Sequence, residues 1–343
     1  MDMKVHVDGS DMLGWSIDQD RANLITLLSR MGLKDRSWFS ADIIHNLWWK
    51  NILNYNYIKF FLRKKILLTA SNFIDIGDEE YFLYDEFKRA EKIATAWIAP
   101  SMKQKSIFDS HGIRSYYFPF LIDQDIFRPL AIDKKKLFEQ YKIPTELQNK
   151  VVIGSFQRDS LGKELSKPKW QKGPELLIEL VKDLPAENYV LLLAGPRRHY
   201  LLEQCKKHGI SYYYLGAETC NDDIKTNHIP IDQMPMLYHL TDVYLISSRS
   251  EGGPKAVLEA CSTRTFVMST DVGLAGDFMD ADYVFDGIGK YKKRLSEIVE
   301  DFDKAQIGIA NAIDNNYSRF NTIMRTDALC ERLCAIYSDV MAN

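Results

Sequence analysis

Residues 251–259 read EGGPKAVLE, two carboxylates with seven residues between them and a glycine pair after the first. The run before it, Val243–Ser247, is apolar and rich in strand-forming residues, and Ser248-Arg249-Ser250 carries the chain out of it. Gly252-Gly253 then turns the chain, and Pro254 suits the first position of a helix, where its missing N–H costs nothing. The amides of Lys255 and Ala256 would point outward from that helix start, whose dipole favours negative charge, and the glycines let a ligand approach the backbone. Such a strand–turn–helix unit suits a diphosphate. Glu259 lies roughly 7.5 Å further along the helix, at about 1.5 Å per residue. A carboxylate only accepts hydrogen bonds, so each glutamate calls for hydroxyl donors. A sugar on one side of a diphosphate and a ribose on the other supply hydroxyls at that separation. On these nine residues alone, a plain helix start with two solvated glutamates accounts for the pattern equally well.

Outward from this stretch, apolar β-rich runs alternate with helical patterns, the signature of parallel α/β layers. Strands are expected at Val5–Val7, Ile66–Thr69, Ala96–Ala99 and Tyr116–Phe118, then at Val151–Ser155, Tyr189–Ala194, Ser211–Leu215, Val243–Ser247 and Phe266–Ser269. Helical patterns lie between them, among them Asp20–Met31, Asp85–Ile93, Pro174–Lys182, His199–Lys207, Met234–Leu240 and Pro254–Cys261. The polar, proline-punctuated stretch FRPLAIDKKKLFEQYKIPTELQNK separates the two sets. The expected division is an N-terminal domain over 1–148, a second over 149–327, and a last helix, 328–343, returning to the first. Both domains are read as Rossmann-like and doubly wound, with the ligand in the cleft they face.

The bulk properties exclude several classes. A chain of 343 residues with 46% hydrophobic and 27% charged residues has the composition of a globular protein, and its length favours two domains. A net charge of −3 argues against a general nucleic-acid binder. No apolar run approaches eighteen residues and no signal-peptide core is seen, so a cytoplasmic protein is expected. Cys205, Cys220, Cys261, Cys330 and Cys334 show no metal-ligand spacing and read as reduced thiols. Between Ile43 and Ile74 there is no acidic residue before Ile74, while Lys50, Lys59, Arg63, Lys64 and Lys65 interleave with Trp48, Trp49, Tyr55, Tyr57, Phe60 and Phe61. That stretch fits either an ordinary helix and strand with a basic edge or a peripheral contact with anionic lipid at the inner face of a membrane.

Several passages together carry a family resemblance. SRSEGGPKAVLEA, followed by a strand and TDVG, resembles the E-x7-E signature of family 4 of the retaining glycosyltransferases, whose fold is GT-B. IPIDQMPMLYHLTDVYLISSRSEG, YVLLLAGP, IGSFQRD with QKGPELLIEL, and ATAWIAPSMKQKSIFDSHGIRSYYFPFLIDQDIFRP are similar to further family passages. The resemblance runs from about Ala94 to the C-terminus. It implies a sugar transfer from a nucleotide diphosphate sugar to a glycan or lipid-linked saccharide, with no metal or other cofactor. Arg158 and Lys172 match the basic pair on the donor diphosphate, Glu259 the residue on the ribose hydroxyls, and Glu251 the residue on the donor sugar. The resemblance also implies contacts from Gly253, Pro254, Lys255, Ala256 and Val257, from Gly195 and Ile229 near the base, and from Gly14 in an N-terminal glycine loop. Retention is ascribed in this family to front-face attack, the donor phosphate taking the acceptor's proton.

The chain also departs from the family. Arg158 and Lys172 are separated by a long insert, so Lys163, Lys167 or Lys169 offers an alternative phosphate ligand. Arg264 replaces a helix-ending glycine, which implies a different turn there. In LLTASNF, Ser71 stands where a histidine is usual; with Ser16 and Asn72 it is an acceptor-side candidate, and none of the three is a base at neutral pH. A degenerate, non-catalytic nucleotide- or glycan-binding subunit is therefore the alternative reading. The D-x-D pairs Asp18/Asp20 and Asp123/Asp125 read as a helix start and a loop rather than a metal site. No GxGxxG follows a strand, SLGKE fails the P-loop pattern, and the histidines, His45 included, read as structural.

Overall fold

The computed structural model describes residues 3–10, 16–55, 64–78, 81–161 and 164–342. Contacts divide the chain into two units. The first comprises residues up to Asp123, Gly252–Lys255 and Asn321–Asn343; the second comprises Gln124–Glu251 and Ala256–Phe320.

The first unit holds one sheet of five strands, β1 (Val5–Asp8), β2 (Ile43–Asn46), β3 (Lys65–Thr69), β4 (Ala96–Ala99) and β5 (Ser115–Tyr117), paired in that order and all parallel. The central runs IIHN, ILLT and AWIA are buried residue after residue, as parallel strands covered on both faces require. β2 was not among the expected strands because its polar half, His45 and Asn46, hides the apolar pattern. Both are buried and bonded: Asn46 Nδ2 donates to Asp8 Oδ2 at 2.7 Å. His45 Nδ1 lies 2.8 Å from the Tyr337 hydroxyl, on the helix Thr326–Ala342, and Nε2 lies 3.1 Å from Thr69 Oγ1. Burial without a countercharge pulls the His45 pKa down to about 3, so the imidazole is neutral.

Of the basic-aromatic stretch, residues 56–63 lie outside the described residues. The remainder is largely core: Trp49 is fully buried and Lys50 pairs with Glu86 at 3.3 Å, while Trp48 is 37% exposed. Among the described residues no helix is long and apolar enough to cross a membrane.

The second unit holds a six-stranded parallel sheet ordered β11-β10-β9-β6-β7-β8. Its strands are β6 (Val151–Ser155), β7 (Tyr189–Ala194), β8 (Tyr212–Leu215), β9 (Val243–Ile246), β10 (Val267–Thr270) and β11 (Val284–Phe285). β11, two residues long, was too short to leave a pattern. Building starts at β6 and proceeds one way through β7 and β8, then the other way through β9, β10 and β11. The order therefore reverses between β6 and β9, and in such sheets the crevice beyond the carboxyl ends at the reversal is where ligands bind.

Two boundaries differ from the expected ones. Residues 124–148 belong to the second unit, because Asp133 caps the helix Lys134–Gln140 and Leu137 and Phe138 pack with Val152, Val190 and Leu237. Residues 321–327 join the last helix in the first unit. Arg264 corrects the turn expected after the helix Lys255–Ser262: it takes the left-handed conformation itself, at φ 59°. Its guanidinium pairs with Asp314 and lies 5.0 Å over the Tyr317 ring, contacts that offset the cost a side chain meets there.

The buried His45 makes acid stability measurable. Its folded pKa lies below the unfolded value, so its contribution is present above about pH 6.5 and is lost as pH falls toward 3, at up to about 1.4 kcal/mol per pH unit. Urea unfolding between about pH 4 and 7 is expected to show this slope in the wild type and a shallower one in His45→Asn. Tyr337→Phe, which leaves a buried imidazole nitrogen unpaired, is expected to cost about 1–3 kcal/mol.

Candidate functional site

Two chain segments leave the sheet at the reversal, Phe156-Gln157-Arg158 after β6 and Ser247–Glu251 after β9. A third, the short turn Trp170–Lys172 before the helix Pro174–Val181, is drawn onto the second of these by Gly173. Gly173 sits at φ +56°, and a Cβ there would stand 2.0 Å from the Ser247 carbonyl oxygen. Only glycine satisfies both the dihedral and the approach. The Gln171 carbonyl, thus placed, accepts from Arg249 N at 2.9 Å and Ser250 N at 3.3 Å.

The consequence is an ion pair between residues 79 apart: Lys172 Nζ lies 2.6 Å from Glu251 Oε2. The side chains are 27% and 12% exposed, so they reach solvent but are held by the backbone. The Ser248 hydroxyl donates to Glu251 Oε1 and also faces Gln157 Oε1 at 3.2 Å. Thr270 Oγ1 fixes this loop in turn, donating to the Ser248 carbonyl at 2.6 Å.

Further cations converge here. Lys169 has its pKa drawn down to about 8, chiefly by burial and then by the charges of Lys172 and Arg158, against the pull of Glu251. Lys169, Lys172 and Arg158 therefore share one electrostatic neighbourhood, with Arg197 adding a smaller push. Of the three lysines in the insert, Lys163 lies outside the described residues and Lys167 is 60% exposed beside Glu164. Of the two described, Lys169 is the one the fold brings in. Behind the cluster, the buried Arg198 donates to Ser155 O at 2.8 Å and Ala194 O at 2.9 Å, clamping the ends of β6 and β7. Asp159, its pKa raised to about 6 by burial, accepts from Leu201 N at 2.9 Å. Neither residue was singled out from the sequence; a charged pair flanking two strand ends was the available signal.

Glu259, on the helix Lys255–Ser262, accepts from the hydroxyl of buried Tyr238 at 2.7 Å. Gly195 at φ +82° lies against Phe156 and Ile229, where an added Cβ would stand 3.8 Å from Phe156 O and 3.9 Å from Ile229 Cδ1. These expected residues of the second unit are brought together. Between the two glutamates the expectation changes. Gly252, Gly253, Pro254 and Lys255 group with the first unit, where a Cβ on Gly252 would meet Ala70 O at 2.9 Å. Lys255 Nζ pairs with buried Asp20 at 2.7 Å, and the Val257 side chain is wholly core.

On the acceptor side, Gly14 lies outside the described residues and Ser16 opens the helix Ser16–Arg30. Asn72 is spent on structure: it accepts from Trp49 Nε1 at 2.8 Å and donates to Phe73 O at 3.1 Å and the Tyr81 hydroxyl at 2.7 Å. Ser71 is half-buried beside it. Asp18 takes the Ser10 hydroxyl in the first turn of its helix. Among the described residues no cluster of three or more His, Cys, Asp or Glu could hold a metal ion.

Residues 167–311 match the family model "Glycosyl transferases group 1", a span that includes Lys172, Glu251 and Glu259 and excludes Arg158. No curated protein matches the sequence. Among solved structures, Anabaena HepE in complex with UDP and glucose is similar over 98% of this chain and 100% of its own, at 16% identity and a TM-score of 0.72. A glycosyltransferase from Rickettsia africae is similar over 100% of both chains, at 13% identity and a TM-score of 0.68. Sucrose-phosphate synthase from Thermosynechococcus elongatus is similar over 89% of this chain and 75% of its own, at 14% identity and a TM-score of 0.67. The fold is accordingly GT-B, two parallel-sheet α/β domains.

Gly173→Ala tests the contact that assembles the site. With φ positive and a carbonyl oxygen in the way, the variant is expected to lose about 3 kcal/mol or more in denaturant unfolding, well above the ~1 kcal/mol of an ordinary Gly→Ala change at positive φ.

Proposed function

We propose that the chain is a retaining, metal-independent glycosyltransferase of the E-x7-E type, moving a sugar from a nucleotide diphosphate sugar to a glycan or lipid-linked saccharide. The observation that carries this reading is the Lys172–Glu251 pair, set beside Lys169 and within reach of Arg158's charge at the reversal of the second sheet. A diphosphate arriving there meets Lys169, Lys172 and Arg158 together. Lys172 and Arg158 stabilise the charge that grows on the leaving phosphate. As Lys172 turns to phosphate, Glu251 Oε2 is released to accept from a hydroxyl of the donor sugar. Glu259 holds the ribose. The bond from the anomeric carbon to the donor phosphate breaks while one to the acceptor oxygen forms on the same face, and the acceptor's proton passes to the leaving phosphate. Glu251, already held by Lys172 and Ser248, suits positioning rather than nucleophilic attack.

HepE, solved with UDP and with UDP-glucose, makes uridine the first base to try. A peripheral contact with an anionic membrane, through residues 43–74, and a cytoplasmic location complete the proposal; exposed Trp48 and the run KFFLRKK support the contact. One observation favours the second reading, a binding subunit without turnover: Asn72, beside the residue in the histidine's place, has its side chain committed to Trp49, Phe73 and Tyr81.

Thermal unfolding with UDP, GDP, ADP, dTDP and CDP, each with and without EDTA, discriminates these readings. One nucleotide at about a hundred times its Kd is expected to add roughly 2.7 kcal/mol with or without chelator. A shift that requires metal sinks metal independence, and no shift with any nucleotide sinks the donor site. Donor hydrolysis or transfer is expected to fall at least about 100-fold in Lys172→Ala and in Glu251→Ala; binding without any turnover would favour the subunit reading.

Lys169 adds a pH signature. A bound anion favours the ammonium, so nucleotide affinity is present below about pH 8 and declines as pH rises above it. Titration calorimetry of Lys169→Met is expected to give weaker binding without that decline.

A further inference from the structure

Glu259 is not a lone carboxylate waiting for a ligand. Its Oε2 accepts from Tyr238, a residue 1% exposed on the helix Met234–Leu240. The Tyr238 ring lies 5.0 Å from that of Tyr244 on β9 and 5.6 Å from that of Phe156, just beyond β6. Phe156 N in turn donates to the Tyr244 hydroxyl at 3.3 Å. Thr265 Oγ1 donates to the Tyr238 carbonyl at 3.2 Å, tying the backbone of the same residue to the segment before β10. The phenol is therefore fixed from the ends of two strands and from its own backbone, with its hydroxyl aimed at Glu259 Oε2. Burial, with the charge of Glu259 beside it, pushes the pKa of that hydroxyl well above the ordinary tyrosine value, so it is a donor at neutral pH.

A flexible glutamate on a helix surface samples several rotamers, and ordering it on binding costs side-chain entropy. A buried donor on one oxygen removes most of that freedom beforehand.

Resting on the ribose role proposed above for Glu259, we infer that Tyr238 is a positioning residue for ribose recognition, holding Glu259 in the rotamer that accepts from the vicinal hydroxyls of the nucleotide. It touches neither substrate nor phosphate. Its effect is confined to the ability of the site to tell a nucleotide with ribose hydroxyls from one without them. Its removal alters that discrimination and leaves diphosphate binding by Lys172 and Arg158 in place.

The test uses the full chain and three probes, UDP, 2′,3′-dideoxy-UDP and inorganic pyrophosphate, with Kd measured by calorimetry. In the wild type, UDP is expected to bind at least about tenfold more tightly than the dideoxy analogue, the worth of one or two hydrogen bonds to a charged group. Glu259→Ala is expected to abolish the ratio. Tyr238→Phe is expected to reduce it about five- to tenfold, with the pyrophosphate Kd unchanged. A folded Tyr238→Phe protein with the wild-type ratio overturns the inference while leaving the ribose role of Glu259 standing. A wild type that does not bind UDP, or does not separate the two nucleotides, overturns both together. Should Tyr238→Phe not fold, 3-fluorotyrosine at position 238 keeps the shape and strengthens the donor. A changed ratio then supports the inference, and an unchanged one overturns it.

Discussion

The approach of Gly173 to the Ser247 carbonyl is the constraint on which the candidate site depends. A side-chain carbon would stand 2.0 Å from that oxygen, so the turn before the helix Pro174–Val181 lies on the end of β9 only because residue 173 has none. Everything polar nearby follows. The Gln171 carbonyl receives two amides of the β9 loop, Lys172 reaches Glu251, and Lys169 is carried far enough inward to lose much of its hydration. Burying an amine next to two other cations is unfavourable, and the Glu251 carboxylate offsets only part of that cost for Lys169. The packing of β6, β7 and β9, buried along their whole length, bears that cost.

Much of the architecture was legible before any coordinates. Strands buried on both faces are apolar throughout, so β3, β4, β6, β7 and β9 stood out within a residue or two of their ends. β2 did not, because the His45 ring and the Asn46 amide nitrogen find partners distant in sequence, which no local pattern records. β11 is two residues long and has no period to detect. The misplaced boundary at 124–148 has a similar origin. That stretch looks like a linker in composition, yet Leu137 and Phe138 are core residues of the second unit.

The site divides the same way. Glycines and a proline ahead of an apolar run announced the helix start at Lys255, because those properties belong to consecutive residues. The pairing of Lys172 with Glu251, the selection of Lys169 over Lys167, and the bond from Tyr238 to Glu259 depend on how strands are ordered in the sheet. Arg264 shows the converse error: a residue type was read as a change of backbone, whereas the backbone kept its left-handed turn and the arginine found Asp314 and Tyr317 to sustain it.

The bond between His45 and Tyr337 spans 292 positions, and it imposes an order of events during synthesis. β2 emerges first, and the hydroxyl that satisfies its buried imidazole follows 292 residues later. At about 5–20 residues per second, roughly 15–60 s separate the two. Throughout that interval the second unit, whose strands all lie between, can complete its own sheet, whereas the sheet made first waits with a polar nitrogen and an uncovered face. The unit that holds β1 to β5 is therefore completed only after every strand of the second has emerged.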